Sequence, residues 1–151
     1  MNNRVHFSSK KDDWGTPWEL FHKLNRKHGP CTLDVCATPF NAKVRNFITP
    51  AEDSLRPEVP WNGVCWMNPP YGRVIARWLA KVYDEVKSGR ASKVVCLLPS
   101  RTDTTWFHDF VLPHSNIEFI RGRVKFEGAD NSAPFPSLVA VFTKRSVTND
   151  S

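Results

Sequence analysis

The sequence predicts an α/β fold, a mostly parallel sheet with helices on both faces and a C-terminal antiparallel hairpin. Three observations carry this. Short apolar runs of strand character alternate with amphipathic helical stretches, as at 64–67, 75–86 and 94–98. Strands separated by helices need crossover connections, which make neighbouring strands parallel. The last strand-like runs are separated only by turn and loop signals, the pattern of a hairpin. No internal repeat or linker-like stretch divides the 151 residues, enough for one domain with a proper core.

The elements follow in order. Residues 1–13 are expected to be a flexible basic tail, 14–145 a single domain and 146–151 a second tail. Residues 18–27 place Trp18, Leu20, Phe21 and Leu24 on one helix face, with Thr16 as N-cap, Pro17 at the first helical position and Gly29-Pro30 as the stop. Residues 32–36 read as a short strand with the acidic Asp34 near its end, 41–45 as a helical turn and 46–49 as a brief strand. The irregular stretch 50–62 has Leu55 as its expected core contact. The apolar run 64–67 is a buried strand feeding Asn68-Pro69-Pro70-Tyr71. Ile75, Trp78, Leu79, Val82 and Val86 then mark a long helix that Ser88-Gly89 ends. Residues 93–98 form the clearest strand, bounded by Pro99. Residues 103–112 read as a helix with Trp106, Phe107 and Phe110 inward, stopped at Pro113. Strands at 117–120, 124–126 and 138–142 complete the pattern, the last two as a hairpin across a long loop containing Gly128 and Asn131.

In open sheets of this kind ligands sit at the carboxyl ends of the strands. That rule places Asp34, Asn68 and Ser100-Arg101 on one rim. Composition narrows the partners. Lysine and arginine number 21 against 15 acidic residues, a net charge of +6, which favours a polyanionic partner and also serves solubility. The cysteines Cys31, Cys36, Cys65 and Cys96 lack C-x-x-C spacing and read as reduced and structural, in a cytoplasmic protein. The five histidines form no ligand motif, so no metal site is expected. No stretch approaches the length of a membrane span and no secretory signal is expected.

The chemistry concentrates at Asn68-Pro69-Pro70-Tyr71. Two successive prolines stiffen the backbone and remove two N–H donors, leaving carbonyls free to accept hydrogen bonds. An amide oxygen beside such a carbonyl suits an exocyclic amine, and the tyrosine ring offers a face for a flat base. A Pro-Pro turn closing a strand, with Asn68 as turn former and Tyr71 as packing, has the same residues.

Further segments extend the pattern: Trp14-Gly15-Thr16-Pro17, Leu33-Asp34-Val35-Cys36-Ala37, Asn41-Ala42-Lys43, Glu52-Asp53-Ser54-Leu55, Leu97-Leu98-Pro99-Ser100-Arg101-Thr102 and Trp106-Phe107. Gly122-Arg123-Val124-Lys125-Phe126 and Ala133-Pro134-Phe135-Pro136-Ser137 complete it. With these in this order the chain resembles the small phage-type DNA N6-adenine methyltransferases (phage Dam family) over 14–142. The resemblance implies a compact class I, Rossmann-like fold that uses S-adenosylmethionine (SAM). It also implies transfer of a methyl group to N6 of an adenine flipped out of duplex DNA in a bacterial cell, as a phage does to evade restriction. Asn68 and the Pro69 carbonyl would accept the two amine hydrogens, Tyr71 would stack on the base and Pro70 would stiffen the loop.

For SAM, the resemblance points to Asp34 facing the cationic amino group and to backbone N–H groups of Thr16 or Trp18 beside Pro17 meeting the carboxylate. Cys36 would line the pocket through its backbone, and Asn68 would border both ligands. Asp53 would accept from either the adenosine amine or the ribose hydroxyls. Alone, Asp34 also fits a capping carboxylate and Thr16 an ordinary N-cap. The turn Cys36-Ala37-Thr38-Pro39 departs from the glycine-rich turn of many SAM enzymes. For DNA the candidates are Arg73, Arg101, Arg121, Arg123 and Lys125, with Ser100 and Thr102 facing substrate. No space remains for a separate recognition domain, so a short or relaxed target is expected, read through 127–137. Rival readings are a protein-glutamine or RNA-adenine methyltransferase and an inactive DNA-binding relative.

Overall fold

A computed structural model describes residues 13–148; the expected tails therefore lie outside the described residues except for Asp13 and 146–148. The apolar runs become β2 (Gly63–Met67) and β3 (Ala91–Pro99), joined by the helix α2 (Ile75–Ser88) and paired in parallel from Val64↔Lys93 to Met67↔Cys96. Ahead of them, helix α1 (Trp18–His28) leads into β1 (Leu33–Asp34), which pairs in parallel with β2. The sheet is completed by β4 (Asn116–Phe119) and β5 (Ser137–Thr143) in the order β1-β2-β3-β5-β4, with β5 antiparallel to both its neighbours.

Strand alternation assigns the two layers. Trp66 points to one face, where Phe21 of α1 meets it edge-on at 5.1 Å. Cys65 points to the other, under α2, whose Glu85 is near enough to help raise its thiol pKa. The five positions read as the inner stripe of α2, Ile75, Trp78, Leu79, Val82 and Val86, are all buried. Gly89 then stops the helix at φ +88°, a left-handed conformation that glycine adopts without strain.

Several expectations are corrected. Helix α1 is capped by Pro17 in an extended conformation without any side-chain cap bond, because the Thr16 hydroxyl is engaged elsewhere. The brief strand at 46–49 reduces to one bridge, Asp34↔Phe47. Leu55 packs against the core as expected while only partly buried, and the residue of 50–62 set deepest is Trp61, fully buried. The helix expected to stop at Pro113 passes through it. A π turn over Phe107–Val111, with the Leu112 N–H reaching back to the Phe107 carbonyl, precedes α3 (Leu112–His114). The wider turn gives the proline ring room that an α-helical turn would deny it. Residues 124–126 form no strand: Val124 and Phe126 are buried loop residues, and the antiparallel partner of β5 is β4. After β5 the chain continues into α4 (Lys144–Thr148), where Val147 is buried.

A buried ionic cluster ties the irregular stretch to α2. Lys81 Nζ donates to the carbonyls of Arg56 and Val59 at 2.8 and 2.7 Å and lies 3.3 Å from Glu85 Oε2. Glu85, fully buried, accepts the Trp61 N–H at 2.7 Å and a hydrogen from the Arg90 guanidinium. Removing Glu85 leaves the Lys81 ammonium buried without its carboxylate, while Arg90 keeps its contact with water. Glu85→Ala should therefore cost roughly 3–5 kcal/mol in urea unfolding. A loss below about 1 kcal/mol would show that the cluster is not what holds this segment.

Candidate active site

The carboxyl ends of β1 and β2 open into a cleft of about 260 Å³. Its walls come from the segment before α1, the loop after Asp34 and the Asn68-Pro69-Pro70 turn. Asn68 follows β2 directly, so the buried strand fixes its position, and two prolines fix its exit. Its amide NH₂ donates to the Trp14 carbonyl and, at 2.9 Å, to Thr16 Oγ1. A carbonyl can only accept, so these partners place the nitrogen inward and decide the amide orientation. Asn68 Oδ1 is left buried with no partner. Among the described residues no backbone N–H donates to the Pro69 carbonyl. Two acceptors without hydrogens thus stand on one turn.

Asp34, 2% exposed, organises the opposite wall. Its Oδ1 accepts the Cys36 N–H at 3.2 Å and its Oδ2 the Lys43 N–H at 3.0 Å. The loop 36–43 is wrapped around this carboxylate, which explains how it turns without glycine. Thr38 and Asn41 brace it, with the Thr38 N–H donating to Asn41 Oδ1 at 2.7 Å. Burial pushes the Asp34 carboxyl up to about 6, against the lowering pull of the two N–H groups and the Lys43 charge. Such a carboxylate favours an incoming cation.

Lys43 and Glu127 were not foreseen. The Lys43 side chain is buried, 3.2 Å from Glu127 Oε1 and over the Trp18 ring at 4.1 Å. The Glu127 N–H donates to the Gly15 carbonyl at 2.9 Å. A Cβ on Gly15 would come within 2.9 Å of Glu127 Oε1 and 3.3 Å of its Cβ, so a larger residue here would push the Glu127 side chain aside. The loop carrying Glu127 is thereby latched to the segment that orients Asn68. The triplet Asn41-Ala42-Lys43 was visible as a motif, but nothing in it reveals an ion pair 84 residues away.

The remaining candidates separate. Thr16, Asp34, Cys36, Asn68, Pro69 and Pro70 line the cleft. Pro17 does not line it; it caps α1. Asp53 also lies outside it, exposed at φ +53° with its carboxylate accepting the Leu55 N–H at 3.3 Å. Tyr71 is 1% exposed, its hydroxyl donating to the Leu97 carbonyl at 3.2 Å. Phe126 and Phe135 stand edge-on against it at 6.2 and 5.7 Å, so its ring has no open face for a base in this arrangement. The Arg101 guanidinium sits 5.7 Å from the Phe135 ring, and Phe135 touches Trp14 at 5.1 Å. Arg123 reaches the Ala133 carbonyl at 3.4 Å, while Arg73, Arg121 and Lys125 are exposed. Among the described residues no cluster of three or more His, Cys, Asp or Glu could hold a metal, and no helix is long and apolar enough to cross a membrane.

Comparison with known proteins adds an independent finding. The sequence model of a family described as DNA N-6-adenine-methyltransferase (Dam) matches residues 5–144. The DNA N-6-adenine-methyltransferase of Haemophilus phage HP1 (strain HP1c1) is 35% identical over 136 residues, covering 83% of this chain and 76% of that one. The protein of the same description from Escherichia phage T1 is 28% identical over 97 residues, covering 64% of this chain and 40% of its own length. Among solved structures, the 23S rRNA methyltransferase ErmE aligns over 95% of this chain and 68% of its own, at 11% identity and a TM-score of 0.42. Thermoplasma acidophilum 1320 aligns over 74% and 66%, at 12% identity and a TM-score of 0.39. Both scores fall below the level at which a shared fold can be argued.

The Asp34 carboxyl should titrate near pH 6 in the ligand-free protein, read by carboxyl carbon NMR and absent in Asp34→Asn. The sign follows from the raised value. Between the ordinary 3.8 and about 6 the folded state keeps a proton that the unfolded chain has lost. This group's contribution to stability therefore falls as pH rises through that window and is level above it. A midpoint near 4 would mean that Asp34 is solvated.

Proposed function

The chain belongs to the DNA N-6-adenine-methyltransferase (Dam) family, and from that premise we propose that it methylates N6 of adenine in DNA using SAM. The observation that carries the reading is the unpaired, buried Asn68 Oδ1. An amide oxygen kept free of partners at the end of a strand, beside a free prolyl carbonyl, is complementary to a group offering two hydrogens on one nitrogen. The adenine amine is such a group. When both hydrogens are held, the nitrogen lone pair turns away from Asn68 and Pro69 and toward the cleft. No basic side chain is needed for this, since the surplus proton leaves after transfer.

The residues present fit SAM. Asp34 is a buried carboxylate on the cleft wall, suited to the cationic amino group, and Cys36 lies beside it. Bound there, SAM supplies a methyl group already activated by its sulfonium. The chain's own contribution is to hold the amine in line and exclude water. Asp53 does not line the cleft, although Pro50, three residues before it, does.

The adenine must leave the duplex to reach Asn68, at a cost of roughly a few kcal/mol. Arg101 and the exposed Arg73, Arg121 and Lys125 supply cations for the DNA backbone, with Arg123 beside them. Tyr71 stacks on the base once the loop 121–136 shifts its phenylalanines aside; as it stands, the aromatic residues that line the cleft are Trp14 and Trp66. With recognition confined to that loop, the target is short or relaxed. Methylation of phage DNA against restriction is the setting this activity suits.

The test incubates the protein with tritiated SAM and unmethylated duplex DNA, then identifies the labelled nucleoside. Label in N6-methyladenine that disappears with Asn68→Ala is expected. Absence of label while SAM and DNA both bind would sink the proposal and favour a protein amide substrate or an inactive binder. SAM affinity should weaken as pH falls through about 6, approaching tenfold per pH unit below it as Asp34 loses its charge. Lys125→Ala should weaken DNA binding alike for all sequences and reduce the salt slope by about 1, measured by titration at several salt concentrations.

A further inference from the structure

We infer that Thr16 is a positioning residue for the amine-accepting amide, holding Asn68 in the orientation that the Trp14 carbonyl sets and linking that orientation to the cofactor side of the cleft. The inference rests on the reading above. The two ends of an asparagine amide are nearly equal in size and opposite in chemistry. With the oxygen outward, Asn68 attracts an amine; with the nitrogen outward, it repels one. The Trp14 carbonyl, which can only accept, decides between them, and Thr16 Oγ1 accepts the second hydrogen and holds the choice. Thr16 is 1% exposed and Asn68 Oδ1 has no partner, so neither end of the pairing is shared with a protein donor on the cleft side. A flipped amide would set its oxygen against the Trp14 carbonyl and would take the Thr16 hydroxyl hydrogen that otherwise faces the cleft.

The segment carrying Thr16 is held on both sides. The Phe21 N–H donates to the Pro17 carbonyl at 3.0 Å, the Glu127 N–H to the Gly15 carbonyl, and Trp14 packs edge-on against Phe126 and Phe135. Thr16 is therefore a fixed acceptor. Having accepted from Asn68, its hydroxyl still has its own hydrogen to give, and Thr16 lines the same cleft as Asp34. An anionic group receiving that hydrogen makes the hydroxyl oxygen a stronger acceptor. The carboxylate of the cofactor is such a group, so its binding would tighten the hold on Asn68 before the adenine arrives.

Thr16→Val keeps the shape and removes the oxygen; Thr16→Ser keeps the oxygen. With saturating SAM, the valine variant should lose about 10- to 100-fold in kcat, with the KM for DNA changed less than about 3-fold. Serine should restore kcat to within about 3-fold, and thermal unfolding midpoints should match. Thr16→Ala is measured alongside, so that a misfolded valine variant leaves the comparison intact. An activity-free readout is the Asn68 side-chain NH₂ pair in ¹⁵N NMR. The pair should be widely dispersed in the wild type and Thr16→Ser; in Thr16→Val the hydrogen that faced Thr16 should move toward its free-amide position while the one facing the Trp14 carbonyl stays. If the wild type makes no N6-methyladenine, the function proposed above fails, and the NMR comparison alone decides the role of Thr16. An active wild type with undiminished kcat in Thr16→Val, equal losses in valine and serine, or an unchanged NH₂ pair would each overturn the inference.

Discussion

The site depends on a hydrogen bond that is made so that another can be left unmade. Asn68 gives its amide hydrogens to the Trp14 carbonyl and the Thr16 hydroxyl, and its oxygen stays buried and unpaired. An unsatisfied buried acceptor costs about 1–3 kcal/mol. The fold tolerates that cost because β3, buried from Val94 to Pro99, and the wholly buried apolar residues of β5 supply a core large enough to offset it. A ligand that brings two hydrogens removes the penalty on arrival.

Asp34 repeats this logic with charge. It is buried, its carboxyl is pushed up by burial, and its backbone donors satisfy it only in part. Each wall of the cleft therefore keeps acceptor capacity in reserve, Asn68 Oδ1 on one and the Asp34 carboxylate on the other. The Cys36-Ala37-Thr38-Pro39 turn does without glycine because the Asp34 carboxylate, held by the Cys36 and Lys43 N–H groups, defines its path. One residue both folds the loop and prepares it for a cation, so stability and binding compete for the same oxygens.

Periodicity made the centre of the molecule legible. The run at 64–67, the stripe from Ile75 to Val86 and the run at 94–98 each match a single template, and all three appear where expected. The rim rule then brought Asp34 and Asn68 to one cleft. Failures came where a pattern has two physical causes. Val124 and Phe126 alternate as a strand would, yet they are buried because Phe126 packs on Trp14 and Tyr71. Tyr71 was read as a stacking surface from its place after the prolines, while its hydroxyl has a partner in the Leu97 carbonyl that no local motif announces. Thr16 looked like a helix cap because its hydroxyl would serve either purpose, and only the position of Asn68 decides.

The latch between Glu127 and Gly15 has a consequence for when the site comes into being. Trp14 and Thr16, near the start of the chain, orient Asn68, and the loop that packs on them is made more than a hundred residues later. Between these two lies nearly the whole sheet, and β5, the strand that joins β3 to β4, is made later still. A chain emerging from the ribosome therefore carries the Asn68-Pro69-Pro70-Tyr71 turn through residues 72–127 before the loop that clamps the segment aiming it is made. A truncated product that ends before Glu127 keeps the motif and loses the latch on Gly15.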